Sequence, residues 1–198
     1  MLQQAIQSAL NQTYRNIDII VSDNDSSDET NSMTNQYVAD PRFKYFKQPH
    51  NIGAFANVNF CLAKCTGDYW LWLADDDWLE SEAIEKLMKG FSRPDVVMAT
   101  CATRVTDKDG ACIRTMMPKL AGAVSATEFL KARFKRQVGC PSAELFRTSI
   151  VRKCGGYKMF HHLDLIMEIE VARHGNVYVD QTILCNYRLH GGNAVTNR

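Results

Sequence analysis

Apolar and polar positions alternate in blocks along the chain, and the period of each block predicts its element. Leu2, Ala5, Ile6, Ala9 and Leu10 follow the i, i+3, i+4, i+7, i+8 spacing of a one-sided helix. The β-branched run Ile17 to Val21 predicts a short buried strand, and the polar stretch Ser22 to Asp28 a turn. A helix over 28–38, a strand over Phe43 to Phe46, a turn at Asn51-Ile52-Gly53 and a helix over 54–64 follow. Tyr69 to Leu73 is a strongly apolar strand that stops at Asp75-Asp76-Asp77. Ile84, Leu87, Met88 and Phe91 mark a helix over 81–91, and a strand runs from Asp95 to Cys101. Alternating helix and strand predicts an α/β layer fold with a mainly parallel sheet.

The second half reads differently. Lys108-Asp109-Gly110 is a hairpin signal. Ser125-Ala126-Thr127-Glu128 is a capping box opening a helix to Arg136. Gly139 to Ser142 and Gly155-Gly156 read as loops, 163–174 as a helix stopped by Gly175, and two short strands near Val177 and Ile183 close the pattern.

At 198 residues the chain has the length of one domain or at most two, by the usual ~150 residues per domain. Its 23 basic and 22 acidic residues argue against a broad electrostatic grip on nucleic acid. No apolar run reaches the ~18 residues of a membrane span, and Met1 to Gln4 lack the layout of a signal peptide. The seven cysteines are scattered, without a C-x-x-C pair, and read as reduced thiols of a cytoplasmic protein. His161-His162 lacks a partner at metal-site spacing and reads as a surface or cleft pair.

The sharpest candidate chemistry is the carboxylate triplet Asp75-Asp76-Asp77 directly after a buried strand. Adjacent carboxylates repel one another unless a cation joins them, and Mg²⁺ characteristically links one or two carboxylates to substrate phosphates. Ligands also bind at the carboxyl ends of strands in open α/β sheets. The same residues would serve equally as a solvated acidic turn before the next helix. Asp23 to Asp28 lies at another strand end and can hydrogen-bond a base or ribose, while Ser26 or Ser27 caps the following helix.

Five segments in order make the chain resemble the family 2 glycosyltransferases, inverting enzymes with a GT-A fold. They are Ser8 to Tyr14, Ile19 to Asp28, Asn51-Ile52-Gly53, Leu73 to Trp78 and Tyr187-Arg188-Leu189-His190. The resemblance implies a Rossmann-like, mostly parallel sheet flanked by helices. It further implies one domain, with a nucleotide-sugar half at 1–103 and an acceptor half at 104–198. Asp23, Asn24, Asp28, Asn51 and Asp75 would contact the nucleotide of a nucleotide-diphospho-sugar, most often a UDP-sugar. Asp76, His190 and Asp77 would hold Mn²⁺ or Mg²⁺. Asp164, eleven residues before Gly175, would be the general base toward a glycan or lipid-linked acceptor; Glu168 and Glu170 on the same helix are weaker candidates.

Departures from the family pattern accompany the match. The family opens with a strand and a base-covering loop, and this chain begins after that point, so the resemblance implies an N-terminally truncated fold. Leu163 and Glu170 replace an acidic residue and an arginine common around the base, and Ala74 replaces an aspartate. A transferase-like domain that binds nucleotide without catalysis, and a nucleotidyltransferase, are the rival expectations. Lys131, Arg133, Lys135 and Arg136 read as a solvated helix face, or as a patch for the inner face of a membrane. Trp78 is placed either in the core or against the acceptor.

Overall fold

The computed structural model describes residues 1–139, 143–158 and 163–191. His161, His162 and Cys140 lie outside these residues, as does most of the loop expected at 139–142.

The apolar stripe of α1 (Leu2–Leu10) buries Ala5 and Ile6 against the rest of the fold. Strand β1 (Ile19–Asp23) pairs in parallel with β2 (Phe43–Lys47) in a sheet of its own. Between them α2 (Thr30–Thr34) is a short helix that tightens into a 3₁₀ turn at Asn35–Tyr37, shorter than the periodicity predicts. Thr30-Asn31-Ser32 explains this, since such residues compete locally for backbone hydrogen bonds. Helix α3 (Ala54–Lys64) starts after Gly53, whose φ of 84° lies where a side chain would be strained.

The second sheet has seven strands: β3 (Tyr69–Leu71), β4 (Trp78–Leu79), β5 (Val96–Thr106), β6 (Cys112–Met116), β7 (Gly122–Val124), β8 (Leu145–Arg147) and β9 (Asn176–Arg188). The main path runs β3-β8-β5-β9-β4, with β6 on β5 and β7 on β9. The longest ladder, β5 with β9, is parallel, as is β1 with β2; the short pairings are antiparallel. Helices α4 (Ala83–Met88), α5 (Ala126–Phe134), α6 (Thr148–Lys153) and α7 (Leu163–Ala172) complete the α/β layers.

Two expectations change here. Strand β3 ends at Leu71 rather than Leu73, because its partner β8 starts at Leu145, the residue opposite Leu71. The two strands expected near 177 and 183 are one strand, β9, which absorbs the polar Asp180-Gln181-Thr182 through register shifts opposite Cys101 and Ala102.

Two apolar clusters flank β5. One gathers Trp70, Phe146, Phe129, Met167 and Val171, and the other Leu79, Leu87, Phe91 and Leu184. Strand β5 is buried at every position but one, as expected for a strand covered on both faces. Gly175 does follow α7, but its backbone is not left-handed. A Cβ there would stand 2.5 Å from the Asp95 carbonyl oxygen, so close approach of two chain segments requires the glycine.

Candidate functional site

The carboxyl ends of the strands carry the expected polar groups, held in two networks. The first lies at the end of β1. Asp23 is 4% exposed, with Oδ1 accepting from the Ser26 amide at 2.7 Å and Oδ2 from the Tyr45 hydroxyl at 2.6 Å. Burial pushes its pKa up, but the hydrogen bonds from Tyr45 and Ser26 outweigh burial and hold it below the usual carboxylate range. Its phenol partner is pushed up to about 12 by burial and by the carboxylate.

Asn24 and Asn51 brace each other at 2.9 Å. Asn24 Oδ1 accepts from the Ile52 amide and Asn51 Oδ1 from the Gly53 amide, so the two asparagines fix the turn into α3. Asp28 is exposed and accepts from the Thr30 amide at 3.0 Å. That contact is a local turn before α2, whose N-cap position is Glu29 with no side-chain cap bond, so the capping expected of Ser26 or Ser27 is not made.

The second network surrounds the carboxylate triplet. His190 Nε2 and Asp76 Oδ2 meet at 2.9 Å, with both side chains about one-fifth exposed (20% and 19%). Asp75 keeps solvent access, yet the protein around it, and then the Asp76 charge, raise its pKa. Asp77 is 1% exposed, and its Oδ1 accepts from the Arg188 amide at 2.9 Å, tying the triplet to the end of β9.

Arg188 completes this clamp. It donates to the Asp76 carbonyl and the Lys108 carbonyl at 3.0 Å each, and also to Gln4 Oε1. Its guanidinium lies 4.7 Å from the centre of the Trp78 ring. Trp78 therefore supports Arg188 from β4. In the sequence Arg188 is only part of the Tyr187-Arg188-Leu189-His190 motif; three backbone and side-chain acceptors around one cation reveal its role only in three dimensions.

Among the described residues, no three His, Cys, Asp or Glu side chains converge into a ready-made metal cage. Asp76 and His190 nevertheless form a donor set suited to a divalent ion whose remaining positions come from water and phosphate oxygens, the usual state of Mg²⁺ in nucleotide sites. The imidazole nitrogen suits Mn²⁺ better than Mg²⁺.

Asp164, at the start of α7, lines a cavity of about 10 Å³ with Trp72, Glu144, Phe146, Tyr157 and Met167. That volume holds roughly one water molecule. Trp72 stands edge-on to Tyr157 at 5.8 Å and lies three residues before the triplet. It connects the cavity of Asp164 to the chain segment carrying Asp75 and Asp76. The other acids of α7 are occupied elsewhere. Glu168 is fully buried in a bidentate pair with Arg133, and Glu170 lies 3.8 Å from both Lys158 and Arg173. Arg133 thus leaves the basic helix face and turns inward, where it also reaches Glu144 at 2.8 Å.

Glu144 is a residue that sequence reasoning missed. Burial and the neighbouring Glu168 drive its pKa well up. Its only sequence signal is one carboxylate inside the run Ala143 to Phe146.

Helix α1 packs on both β1 and β4 and so relates the two networks.

The profile described as Glycosyl transferase family 2 matches residues 1–155. The chain belongs to this family. A GalNAc(5)-diNAcBac-PP-undecaprenol beta-1,3-glucosyltransferase of Campylobacter jejuni is 27% identical over 99% of this chain and 63% of its own length. A hyaluronan synthase of Pasteurella multocida is 25% identical over 97% of the chain and 19% of its own. This family 2 chain therefore spans less than two-thirds of each of these relatives. In structure it is similar to S. aureus TarS 1-349 in complex with UDP-GlcNAc, with a TM-score of 0.80 and 14% identity over 100% of this chain and 57% of that one. The mannosyltransferase PcManGT of Pyrobaculum calidifontis, in complex with GDP-Man and Mn²⁺, gives 0.70 at 13% identity over 93% and 52%. At such identities the likeness establishes the GT-A architecture of the family 2 chain.

Proposed function

We propose that this chain transfers a sugar, with inversion, from a nucleotide-diphospho-sugar to a glycan or lipid-linked acceptor, and that the reaction depends on Mn²⁺ or Mg²⁺. The meeting of Asp76 and His190 across 114 residues of chain carries this reading. A bound divalent cation would neutralise charge on the departing nucleoside diphosphate. Arg188 holds the loop that presents Asp76, and Asn24 and Asn51 hold the turn beside the base and ribose. Asp164 accepts the proton of the acceptor hydroxyl as that oxygen attacks the anomeric carbon. The relatives named above support the choice of substrate classes: one is named for a polyprenyl-diphosphate-linked acceptor, and two neighbours are complexed with UDP-GlcNAc and GDP-Man.

Calorimetric titration of UDP, GDP, CDP and dTDP, each with and without Mn²⁺, tests the donor site. One nucleotide should bind in a Mn²⁺-dependent way. Asp76→Ala should weaken it by at least about tenfold, the loss that even an outer-sphere partner of a metal site can cause. A folded protein that binds none of the four overturns the proposal.

A further inference from the structure

We propose that the C-terminal end of α5, with the segment following β6, is a docking face for an anionic lipid surface. The argument begins with charge. The whole chain has a formal charge of +1, yet between Gly110 and Ala143 the single acidic residue, Glu128, stands against six cations. Glu128 is engaged in the capping box at the opposite end of α5. Arg133 is withdrawn into its pair with Glu144 and Glu168. The remaining five, Arg114 on β6 together with Lys119, Lys131, Lys135 and Arg136, are exposed, and none forms an ion pair with a described carboxylate.

Geometry gathers these groups. Lys131, in the last turn of α5, and Lys135, its C-cap residue, lie four residues apart. The Lys119 amide donates to the Gln137 carbonyl at 2.9 Å, bringing the segment after β6 against the end of the helix. Two large apolar side chains stand on the same segments and face solvent: Phe134 is 66% exposed and Met117 49%. The helix dipole accounts for cations in the last turn of α5, but not for Lys119 or for an exposed phenylalanine. Cations around an exposed aromatic ring match a surface with an anionic headgroup layer above an apolar one. An acidic protein would meet the charges and leave the ring without a role.

Sedimentation with phosphatidylcholine vesicles, with or without about a third phosphatidylglycerol, tests this without donor or acceptor, so it is independent of the transfer reaction. The chain should partition onto the anionic vesicles and not the neutral ones, and high salt should release it. Lys131→Gln, Lys135→Gln and Arg136→Gln should each reduce partitioning about fivefold. Phe134→Ser should reduce it about tenfold. Thermal melts confirm that each variant is folded, and Lys119→Gln, outside the helix, supplies the same readout if a helix variant is not. Equal partitioning onto both vesicle types, or no binding to either, overturns the proposal. So does tight binding to polyglutamate that Phe134→Ser leaves unchanged, which would make the partner an acidic protein.

Discussion

Loss of Arg133 should destabilise the fold strongly, because its cation is held between two buried carboxylates. Arg133 is 11% exposed and touches both oxygens of Glu168 (0% exposed), Oε1 of Glu144 (3%) and the Gly139 carbonyl. Burial raises the pKa of both glutamates, and Glu168 adds to the cost of ionising Glu144; the Arg133 cation pulls both the other way, and the hydrogen bond with Glu144 also favours the charged form of Glu168. Arg133→Met leaves two buried carboxyls facing each other with no cation. Removing one partner of a buried ion pair costs about 3–5 kcal/mol, a large share of a typical domain stability of about 5–15 kcal/mol. At about 2–4 °C per kcal/mol for a chain of this size, the midpoint should fall by roughly 10 °C.

The pH dependence has a definite sign. With folded pKa values raised above their unfolded values, the native variant binds more protons than the unfolded chain. Its stability is therefore greatest below the unfolded carboxyl pKa and is lost as pH rises through the raised folded values. Urea titrations of parent and variant between about pH 5 and 8 should show a deficit that widens with pH. Combining Arg133→Met with Glu144→Gln and Glu168→Leu should recover more than half of the loss, because no buried charge is then left alone. A deficit below about 1 kcal/mol throughout that range would refute the claim that Arg133 neutralises this cluster.

Other consequences can be checked separately. Asp164→Asn should lower turnover by about 10²–10⁴-fold while leaving nucleotide affinity unchanged in calorimetry. Gly175→Ala should cost about 1–3 kcal/mol in urea unfolding, because the added methyl meets the Asp95 carbonyl. Ser125→Ala should cost about 1 kcal/mol by removing the side-chain acceptor for the Glu128 amide. Cys112 is exposed whereas Cys101 and Cys185 are buried, so a thiol reagent on the native protein should label Cys112 and spare the other two.

Local features of the fold could be read from the sequence. The capping box of α5 is complete within four residues, and the turn at Lys108 to Gly110 carries its own glycine at φ 90°. The triplet was legible because three carboxylates directly after an apolar strand are conspicuous. Partnerships between distant segments were not. Nothing near Arg133 distinguishes it from Lys131 or Lys135; its inward turn depends on two glutamates 11 and 35 residues away. Asp180 to Thr182 hid the continuity of β9, because a polar interruption reads as a turn unless β5 is known to run alongside. The pairing of Asp76 with His190 came from the resemblance, and no local pattern contained it.

Strand β9 also bears on how the protein is made. It supplies the parallel partner of β5 and the antiparallel partners of β4 and β7, and its end carries Arg188 just before His190. A ribosome delivers residues 176–188 after the other strands of both sheets. Until then β4 and β7 have no ladder, β5 lacks its main neighbour, and the loop holding Asp76 has neither its clamp nor its imidazole. A nascent chain stalled before residue 176 is therefore both unfinished as a fold and without its proposed cation site. Completion of the sheet and completion of that proposed site therefore occur in one event of synthesis, whereas the network of Asp23, Asn24 and Asn51 is built from residues made much earlier.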